Sequence, residues 1–179
     1  MKRELRSFSG DTGFTLRRKL VLVIWFALQH IAFKSALFPA SLRPSVLKLF
    51  GASIGKDVLI RRGVRVHFPW NLEIGDNCWI GEEVWFLNHN RIEIASNVCI
   101  SQRAIICASG HDFRSISLEY AHKPIKIKDG AWICLDSKVL PGVSIGECSV
   151  VSAGEVARKS LPDYSMLVGG QVRPIDRPK

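Results

Sequence analysis

The sequence predicts an all-β fold, a parallel β-helix solenoid whose short strands wind around a triangular prism. The first observation is an apolar residue, usually Ile or Val, at every sixth position, a period that belongs neither to a helix nor to an alternating strand. The period runs through four series: Ile54 to Val66, Ile74 to Phe86, Ile94 to Ile106 and Ile127 to Val151. The second observation is that each hexad repeats a pattern of small, apolar and turn-forming residues. The third is that the period is interrupted at only a few places between residues 54 and 151.

Within a hexad, position one is apolar and is expected to point into the prism. Position five is small or β-branched, as at Val64 and Ala104, and is also expected to point inward. Position two is often glycine, which we expect to adopt backbone angles closed to other residues at a tight corner. These glycines are Gly55, Gly75, Gly81 and Gly146. Three hexads make one coil, so a residue 18 positions further on is expected to stack above its counterpart.

The period is interrupted three times. Two slips of two residues lie between Val66 and Ile74 and between Phe86 and Ile94, and they are expected to bulge outward at a coil corner. The third interruption separates Ile106 from Ile127 and predicts an extruded loop over residues 107–126. Loops that leave a rigid scaffold often carry function, so this loop is the first place to look for a site.

The chain divides into three predicted segments. Residues 1–50 form a basic, apolar and helical N-terminal segment, residues 51–157 form the β-helix with its loop, and residues 158–179 form a C-terminal tail. The 14 residues from 20 to 33 are strongly apolar, whereas a membrane-spanning helix needs roughly 20 apolar residues. A helix packed on the end of the solenoid and a helix lying in a membrane interface both remain open.

Positive charge is concentrated at the N-terminus. The whole chain carries a net charge of +9, and residues 1–50 hold nine Lys and Arg against two Asp and Glu, a net charge of +7. This placement fits either an anionic membrane surface, contacted through residues 15–40, or a solvated basic face. No nucleic-acid partner is expected, because basic and aromatic residues do not interleave and no binding motif is present.

The five cysteines form no CxxC pair. Free thiols, some of them buried, in a reducing compartment are expected, and a metal site is not expected from this spacing. The cysteines are Cys78, Cys99, Cys107, Cys134 and Cys148.

Three stretches have a specific pattern: Cys107-Ala-Ser-Gly-His-Asp-Phe113, Lys123-Pro-Ile-Lys-Ile-Lys-Asp-Gly-Ala-Trp-Ile133 and Leu140-Pro-Gly-Val-Ser-Ile-Gly146. Together they resemble the hexapeptide-repeat acetyltransferases, a family that includes maltose, galactoside and nodulation-factor O-acetyltransferases. The group named for colanic acid, or exopolysaccharide, biosynthesis is the most similar. It also has a Leu-Phe-Gly-Ala motif, here Leu49–Ala52, and a Pro-Trp-Asn-Leu motif, here Pro69–Leu72. The resemblance extends over residues 15–175 and implies a left-handed β-helix that assembles as a homotrimer, with active sites between subunits. The basic, apolar N-terminal segment suggests that the enzyme acts in the cytoplasm, near lipid-linked glycan intermediates at the inner membrane surface.

The resemblance implies that acetyl-CoA donates an acetyl group to a saccharide hydroxyl. A hydroxyl is a weak nucleophile at neutral pH, so a general base must take its proton, and histidine is suited to that role. His111, at the start of the loop, matches the catalytic histidine of the family. Asp112 follows directly and is expected either to orient another residue or to cap the turn of the loop.

Acceptor contacts are expected from the bulges and the loop. Asn88 and Asn90 lie in the second bulge, and His122 lies at the far end of the loop. For Asn88 a turn residue is the alternative interpretation, and for His122 a surface residue without a role.

The resemblance also implies that coenzyme A binds along the later coils. Leu135 and Ala153 match positions that bind the cofactor through backbone atoms, and Arg158, Lys159 and Arg173 would provide positive charge for its phosphates. A solvated corner is the alternative for Arg158 and Lys159.

Other functions remain open on the sequence. A non-catalytic scaffold would use the same coils, and serine or an amino sugar could be the acceptor instead of a saccharide hydroxyl, because the fold does not choose the substrate. A metal-dependent hydratase would need three histidines converging on zinc, and His67, His89 and His111 lack the expected spacing.

Overall fold

The computed structural model describes residues 6, 8 and 13–176. Two helices come first: α1 spans Leu16–Ala32 and α2 spans Arg43–Leu49. Thr15 begins α1, since its side-chain oxygen accepts a hydrogen bond from the backbone N–H of Arg18. Short 3-10 helices lie at Ala40–Leu42 and Pro69–Asn71.

Short strands of two to four residues recur through the remaining chain. In order they are β1 Ser53–Ile54, β2 Leu59–Ile60, β3 Arg65–Val66, β4 Leu72–Ile74, β5 Trp79–Ile80, β6 Trp85–Leu87, β7 Ile92–Ile94, β8 Cys99–Ile100, β9 Ile105–Cys107, β10 Ile125–Ile127, β11 Trp132–Ile133, β12 Lys138–Val139, β13 Ser144–Ile145, β14 Val150–Val151, β15 Val156–Ala157, β16 Ser165–Val168 and β17 Gln171–Pro174.

These strands form three sheets, and β1 to β15 enter the three sheets in turn, while β16 and β17 both join the second sheet. The first sheet has the order β1-β4-β7-β10-β13, the second β2-β5-β8-β11-β14-β16-β17, and the third β3-β6-β9-β12-β15. All pairings between these strands are parallel except that of β16 with β17, which is antiparallel. The all-β solenoid predicted from the hexads is therefore confirmed.

The length of a coil varies with the insertions. Ile60 pairs with Ile80 and Ile80 with Ile100, a spacing of 20 residues, because each of these coils contains one bulge. Ile100 then pairs with Ile133 across the extruded loop, and Ile133 pairs with Val151 at the expected spacing of 18. The uniform spacing of 18 is thus wrong for the early coils, while the two slips account for the difference.

The glycines at hexad position two have a different role from the one expected. Within the hexads of the described residues, the positive φ angles fall at position four, for example at Gly63 (φ 74°) and Asn77 (φ 56°). The position-two glycines instead allow successive coils to approach closely. A Cβ on Gly81 would lie 2.7 Å from the backbone nitrogen of Gln102, and a Cβ on Gly75 would lie 2.8 Å from the carbonyl carbon of Ala95.

The core is a column of aliphatic side chains along the axis of the prism. The position-one residues are buried, and the small position-five residues Val64, Cys78 and Ala104 fill the spaces beside them. Each repeat of a solenoid contacts only its neighbours, so the apolar surface that successive coils bury against each other is the main source of stability.

The two helices cover the N-terminal end of this column. Trp25 of α1 is fully buried, and its indole Nε1 donates to the carbonyl of Val66 at 2.9 Å. The buried guanidinium of Arg43 donates to the carbonyls of Ile60, Ser35 and Phe38, so it ties the helical segment to the first coil. Burial away from solvent lowers the pKa of Arg43 from its usual value.

Candidate active site

The three insertions stack at one corner of the prism. Residues 67–71 join β3 to β4, residues 88–91 join β6 to β7, and residues 108–124 join β9 to β10. Each connection runs from the third sheet to the first, so all three emerge at the corner between these sheets, which we call the loop corner. The repeat geometry therefore collects the irregular residues of separate coils in one place.

The extruded loop closes on itself through backbone hydrogen bonds near its two ends. The N–H of Ala121 donates to the carbonyl of Gly110, and the N–H of Asp112 donates to the carbonyl of Glu119, both at 2.8 Å. His111 and Tyr120 face each other across this antiparallel pair, with ring centroids 5.1 Å apart. His111 is thus held at the base of the loop.

The hydrogen bond of His111 determines which ring nitrogen is available for chemistry. Its Nδ1 lies 2.5 Å from the carbonyl oxygen of Leu118. A carbonyl can only accept, so Nδ1 carries the hydrogen, and in the neutral ring Nε2 keeps its lone pair. The side chain is exposed, so Nε2 can accept a proton from a bound molecule.

Asp112 caps the turn of the loop. Its carboxylate accepts from the backbone N–H of Arg114 at 2.9 Å, and its carbonyl accepts from Ser115 at 3.1 Å. The structure therefore brings His111 to a backbone carbonyl and directs the Asp112 carboxylate into the loop turn, the second of the two roles expected for it.

His122 contacts the residue that precedes His111. The N–H of Gly110 donates to Nδ1 of His122 at 3.1 Å, so this nitrogen is unprotonated and the ring is neutral in this arrangement. The backbone carbonyl of His122 accepts from the side-chain amide of Asn90 at 3.2 Å. His122 and Asn90 thus both support the base of the loop.

Asn88 is fully buried beneath the loop corner. Its Oδ1 accepts from the backbone N–H groups of His67 and Phe68, each at 3.0 Å, and its Nδ2 donates to the carbonyl of Phe68. The side-chain amide is engaged with the first bulge, which corresponds to the alternative interpretation of Asn88 as a turn residue.

A row of aromatic rings follows the loop corner from the first bulge to His111. Successive ring centroids are separated by 4.4 Å from His67 to His89, 4.9 Å from His89 to His122, and 4.6 Å from His122 to Tyr120. Tyr120 then contacts His111. We call these five residues the histidine row.

The position of His89 in this row suppresses its protonation. Partial burial, and the proximity of the other histidines, lower the pKa of His89 to about 4. Burial also lowers the pKa of His67 and of His122. Nδ1 of His89 bonds to the hydroxyl of Ser109, whose own hydrogen is directed to the carbonyl of Leu87, so Nδ1 of His89 is the donor. The lowered pKa values therefore favour the neutral imidazole at His67, His89 and His122.

The lowered pKa of His89 predicts a loss of stability in acid. Between pH 6.5 and about 4 the unfolded chain binds a proton at this histidine while the folded chain does not, so the free energy of unfolding falls as pH falls. At pH 5 we expect His89 to lower the free energy of unfolding by an amount on the order of 1 kcal/mol, after allowance for the solvent-facing part of the ring. Urea denaturation of wild type and His89→Gln at pH 7.5 and pH 5 measures this difference.

The exposed His30 on α1 provides the matched control, because it lies outside the histidine row. His30→Gln should lose as much stability in acid as wild type, whereas His89→Gln should lose less. Equal losses in all three proteins would contradict the assignment to His89.

The residues expected to contact coenzyme A lie at two different corners of one chain. Leu135 follows β11 and Ala153 follows β14, so both lie between the second and third sheets, where Gly154 N–H donates to the carbonyl of Leu135. Arg158 and Lys159 follow β15, at the loop corner, and are exposed. Arg173 lies on β17, paired with Met166. A single chain therefore does not bring all of them beside His111.

Several residues that the sequence did not single out belong to this region. Tyr120 lies between His111 and His122, and the ring of Phe8 contacts both His111 and Tyr120.

On the outer face of the second sheet, Trp79 and Trp132 are exposed and lie on the two strands that flank β8. The hexad positions of the two Trp residues, directly before an inward Ile, were the available signal for their outward direction.

Among the described residues, no group of three His, Cys, Asp or Glu side chains could hold a metal ion. The five cysteines are free, and Cys78 is buried, as expected.

Comparisons with known proteins give the family. The chain is 37% identical over 162 residues to the protein of Escherichia coli that is named colanic acid biosynthesis acetyltransferase WcaF. The match covers 89% of this chain and 88% of WcaF. It belongs to the hexapeptide-repeat acetyltransferases. The galactoside O-acetyltransferase of Escherichia coli is another similar protein of this acetyltransferase group, with 27% identity over 137 residues, which are 74% of this chain and 67% of that protein. No protein-family model matches the chain.

Solved structures confirm the fold of the acetyltransferase. A maltose O-acetyltransferase from Clostridium difficile 630 has a TM-score of 0.81 at 24% identity and covers 99% of each chain. The hexapeptide-repeat acetyltransferase VCA0836 from Vibrio cholerae, complexed with acetyl coenzyme A, has a TM-score of 0.79 at 22% identity and covers 90% of this chain and 88% of its own.

Proposed function

We propose that this acetyltransferase moves an acetyl group from acetyl-CoA to a hydroxyl group of a saccharide, with His111 as the general base. The observation that carries the proposal is the hydrogen bond from Nδ1 of His111 to the carbonyl of Leu118. It leaves Nε2 as the acceptor on an exposed ring at the base of the loop, which is what proton abstraction from a bound hydroxyl requires.

The reaction proceeds by direct attack on the thioester. As the acceptor oxygen bonds to the thioester carbonyl carbon, Nε2 of His111 takes the hydroxyl proton. The tetrahedral intermediate then collapses, the carbon–sulfur bond breaks, and the thiolate of coenzyme A receives the proton back from the imidazolium. The carbonyl of Leu118 stabilises the imidazolium, because it accepts a hydrogen bond from Nδ1–H throughout.

Coenzyme A is proposed to bind along the later coils. Backbone atoms near Leu135 and Ala153 would bind the pantetheine part, and Arg158, Lys159 and Arg173 would neutralise the phosphates. In support, Arg158, Lys159 and Arg173 are exposed and make no hydrogen bond or ion pair through their side chains to the rest of the described chain that would compete with a phosphate.

The enzyme is proposed to act as a homotrimer. Leu135 and Ala153 lie at a different corner from His111, so a complete site needs a corner from each of two chains. Exposed Trp79 and Trp132 on the second sheet provide apolar surface for such a contact, and Trp79 lines a cavity of about 430 Å³ together with Leu59 and Cys99.

The acceptor is proposed to be an exopolysaccharide or lipid-linked glycan intermediate. The support is the similarity to WcaF, named for colanic acid biosynthesis, and to a galactoside O-acetyltransferase. The rings of Tyr120, which contacts His111, and of Phe113 in the same loop are exposed, and such rings can stack on the apolar face of a sugar. Asn90 and His122 line the base of the loop and Asn88 lies beneath it, so we propose that they shape the acceptor region mainly by holding the loop.

A cytoplasmic location is proposed as well. Five free thiols fit a reducing compartment, and acetyl-CoA is a cytoplasmic metabolite.

The function is tested by measuring thiol release from acetyl-CoA in the presence of a panel of acceptors. The panel contains neutral saccharides, an amino sugar, serine and no acceptor. We expect release that depends on a neutral saccharide and exceeds the rate without acceptor by at least about tenfold. Release that requires serine or the amino sugar would contradict the acceptor class, and no release with any acceptor would favour a non-catalytic scaffold.

A further inference from the structure

Helix α1 is apolar on two opposite sides. One side packs on the solenoid through Trp25 and Ala32, which are buried, with Leu22 and Leu28 beside them. The other side faces outward and is nevertheless also aliphatic. Its exposed residues recur at intervals of three or four, the spacing of one helical face. With their exposed fractions they are Leu16 84%, Leu20 61%, Val23 65%, Ile24 52% and Ile31 69%.

No polar side chain interrupts this face. Ala27 lies among the five residues on a helical projection and is exposed too, whereas the neighbouring polar positions, Lys19 and His30, lie at its margin. We call the six outward residues the α1 stripe. A helix that serves only to cover the solenoid would be expected to present polar residues to water on its outer side.

The sequence on both sides of the α1 stripe is basic and contains no acidic residue. Between Asp11 and Asp57 the sequence has no Asp or Glu, and it has seven Lys or Arg. Arg17, Arg18 and Lys19 lie in the first turn of α1, and Lys34 lies just beyond its last turn; all four are exposed. Positive charge thus brackets the α1 stripe at both ends.

We propose that the α1 stripe docks on the surface of an anionic lipid bilayer, with α1 parallel to the membrane plane. An aliphatic face with cations at its margin matches the acyl boundary below a layer of negative headgroups. A second copy of α1 would bring the same positive charge to the contact, which argues against pairing of two such helices. None of the described helices combines the length and the apolarity needed to cross a bilayer, so the proposed contact is peripheral.

Docking here would place the active site close to the bilayer. Phe26 of α1 contacts His67 at 5.4 Å between ring centroids, and His67 begins the histidine row that ends at His111. Gln29 of α1 also accepts a hydrogen bond from the N–H of Val66, directly before the first bulge. This consequence rests on the proposed function: an acceptor carried by a lipid would be presented beside the loop corner.

Binding to vesicles tests the proposal. The full chain is mixed with vesicles of phosphatidylcholine alone or with 30% phosphatidylglycerol, about one lipid in three being anionic, and the bound fraction is measured by sedimentation. We expect at least about tenfold tighter binding to the anionic vesicles, and a loss of at least about tenfold in the Ile24→Asp variant. The control is Val172→Asp, which introduces the same charge at an exposed residue of β17, at the opposite edge of the second sheet from β2.

Several outcomes would overturn the proposal. They are absence of wild-type binding to anionic vesicles, equal binding by wild type and Ile24→Asp, and a change in oligomeric state by Ile24→Asp in sedimentation, which would show that a second copy covers the α1 stripe. Ile24 is exposed and lies outside the site, so thiol release with a soluble saccharide should be unchanged in Ile24→Asp. Loss of vesicle binding with intact turnover therefore separates docking from catalysis, and circular dichroism checks the fold of each variant.

Discussion

Replacing His111 with asparagine is expected to lower kcat by about 10²–10⁴-fold, the usual contribution of a positioned general base. Asparagine approximates the size of the ring and can still donate to the carbonyl of Leu118, but it cannot take a proton. Since His111 is not among the residues proposed to bind coenzyme A, KM for acetyl-CoA should change little. Steady-state thiol release with a saccharide acceptor gives both parameters.

Two controls accompany this variant. His30→Gln changes an exposed histidine on α1 and should retain wild-type turnover. Tyr120→Phe keeps the ring that contacts His111 and removes only the hydroxyl, so it should retain most of the activity. A His111→Asn enzyme with kcat within about threefold of wild type would remove His111 from the role of base.

Replacing Trp25 with alanine is expected to cost about 3–5 kcal/mol of unfolding free energy, the usual range for truncating a fully buried aromatic residue. The indole is 0% exposed, packs against Phe33 and Phe50 with centroids 5.7 and 5.1 Å away, and donates to the carbonyl of Val66. Its removal leaves a cavity between α1 and the first coil together with a buried carbonyl lacking its donor.

The neighbouring residue provides a matched control for this loss. Ile24 lies on the opposite side of α1, and Ile24→Ala should cost less than about 1 kcal/mol because its side chain is exposed. Trp25→Phe should lie in between, since it retains much of the volume and loses the hydrogen bond. Urea denaturation followed by circular dichroism, with hydrogen exchange of α1, measures the series, and equal stability of Trp25→Ala and Ile24→Ala would contradict this packing.

The solenoid could be predicted from the sequence because its period is a direct consequence of the structure. Every coil places an inward residue once per side, so the six-residue spacing of Ile94, Ile100 and Ile106 reveals the repeat without any knowledge of long-range contacts. The role of Gly81 could not be read in the same way. Its missing Cβ accommodates Gln102 of the next coil, and such a contact between coils leaves no local signal.

The candidate site was predictable only in part. The break in the period placed His111 at the start of the loop, and the motif around it indicated the family. The histidine row was missed because His67, His89 and His122 are separated by 22 and 33 residues, and only the common corner of the three insertions brings them together. The amide partners of Asn88 were likewise invisible, since they lie in the preceding coil.

Other assignments stay predictions. The division of the chain at residues 50 and 157 is one of them. The coenzyme A contacts of Leu135, Ala153 and Arg158 are others, because they involve a molecule beyond the single chain. Leu135 and Ala153 stack on each other by the 18-residue register but lie one corner away from His111, so their proposed role in binding coenzyme A requires the proposed neighbouring subunit.

The most direct measurement for the proposed reaction is mass spectrometry of the saccharide recovered after incubation with acetyl-CoA. We expect one acetyl group on the saccharide for each coenzyme A released, and complete removal of that group by alkaline hydroxylamine, which cleaves esters and leaves amides intact. His111→Asn should yield neither product at a comparable rate. Coenzyme A released with an unmodified saccharide, or an acetyl group that resists hydroxylamine, would contradict O-acetyl transfer.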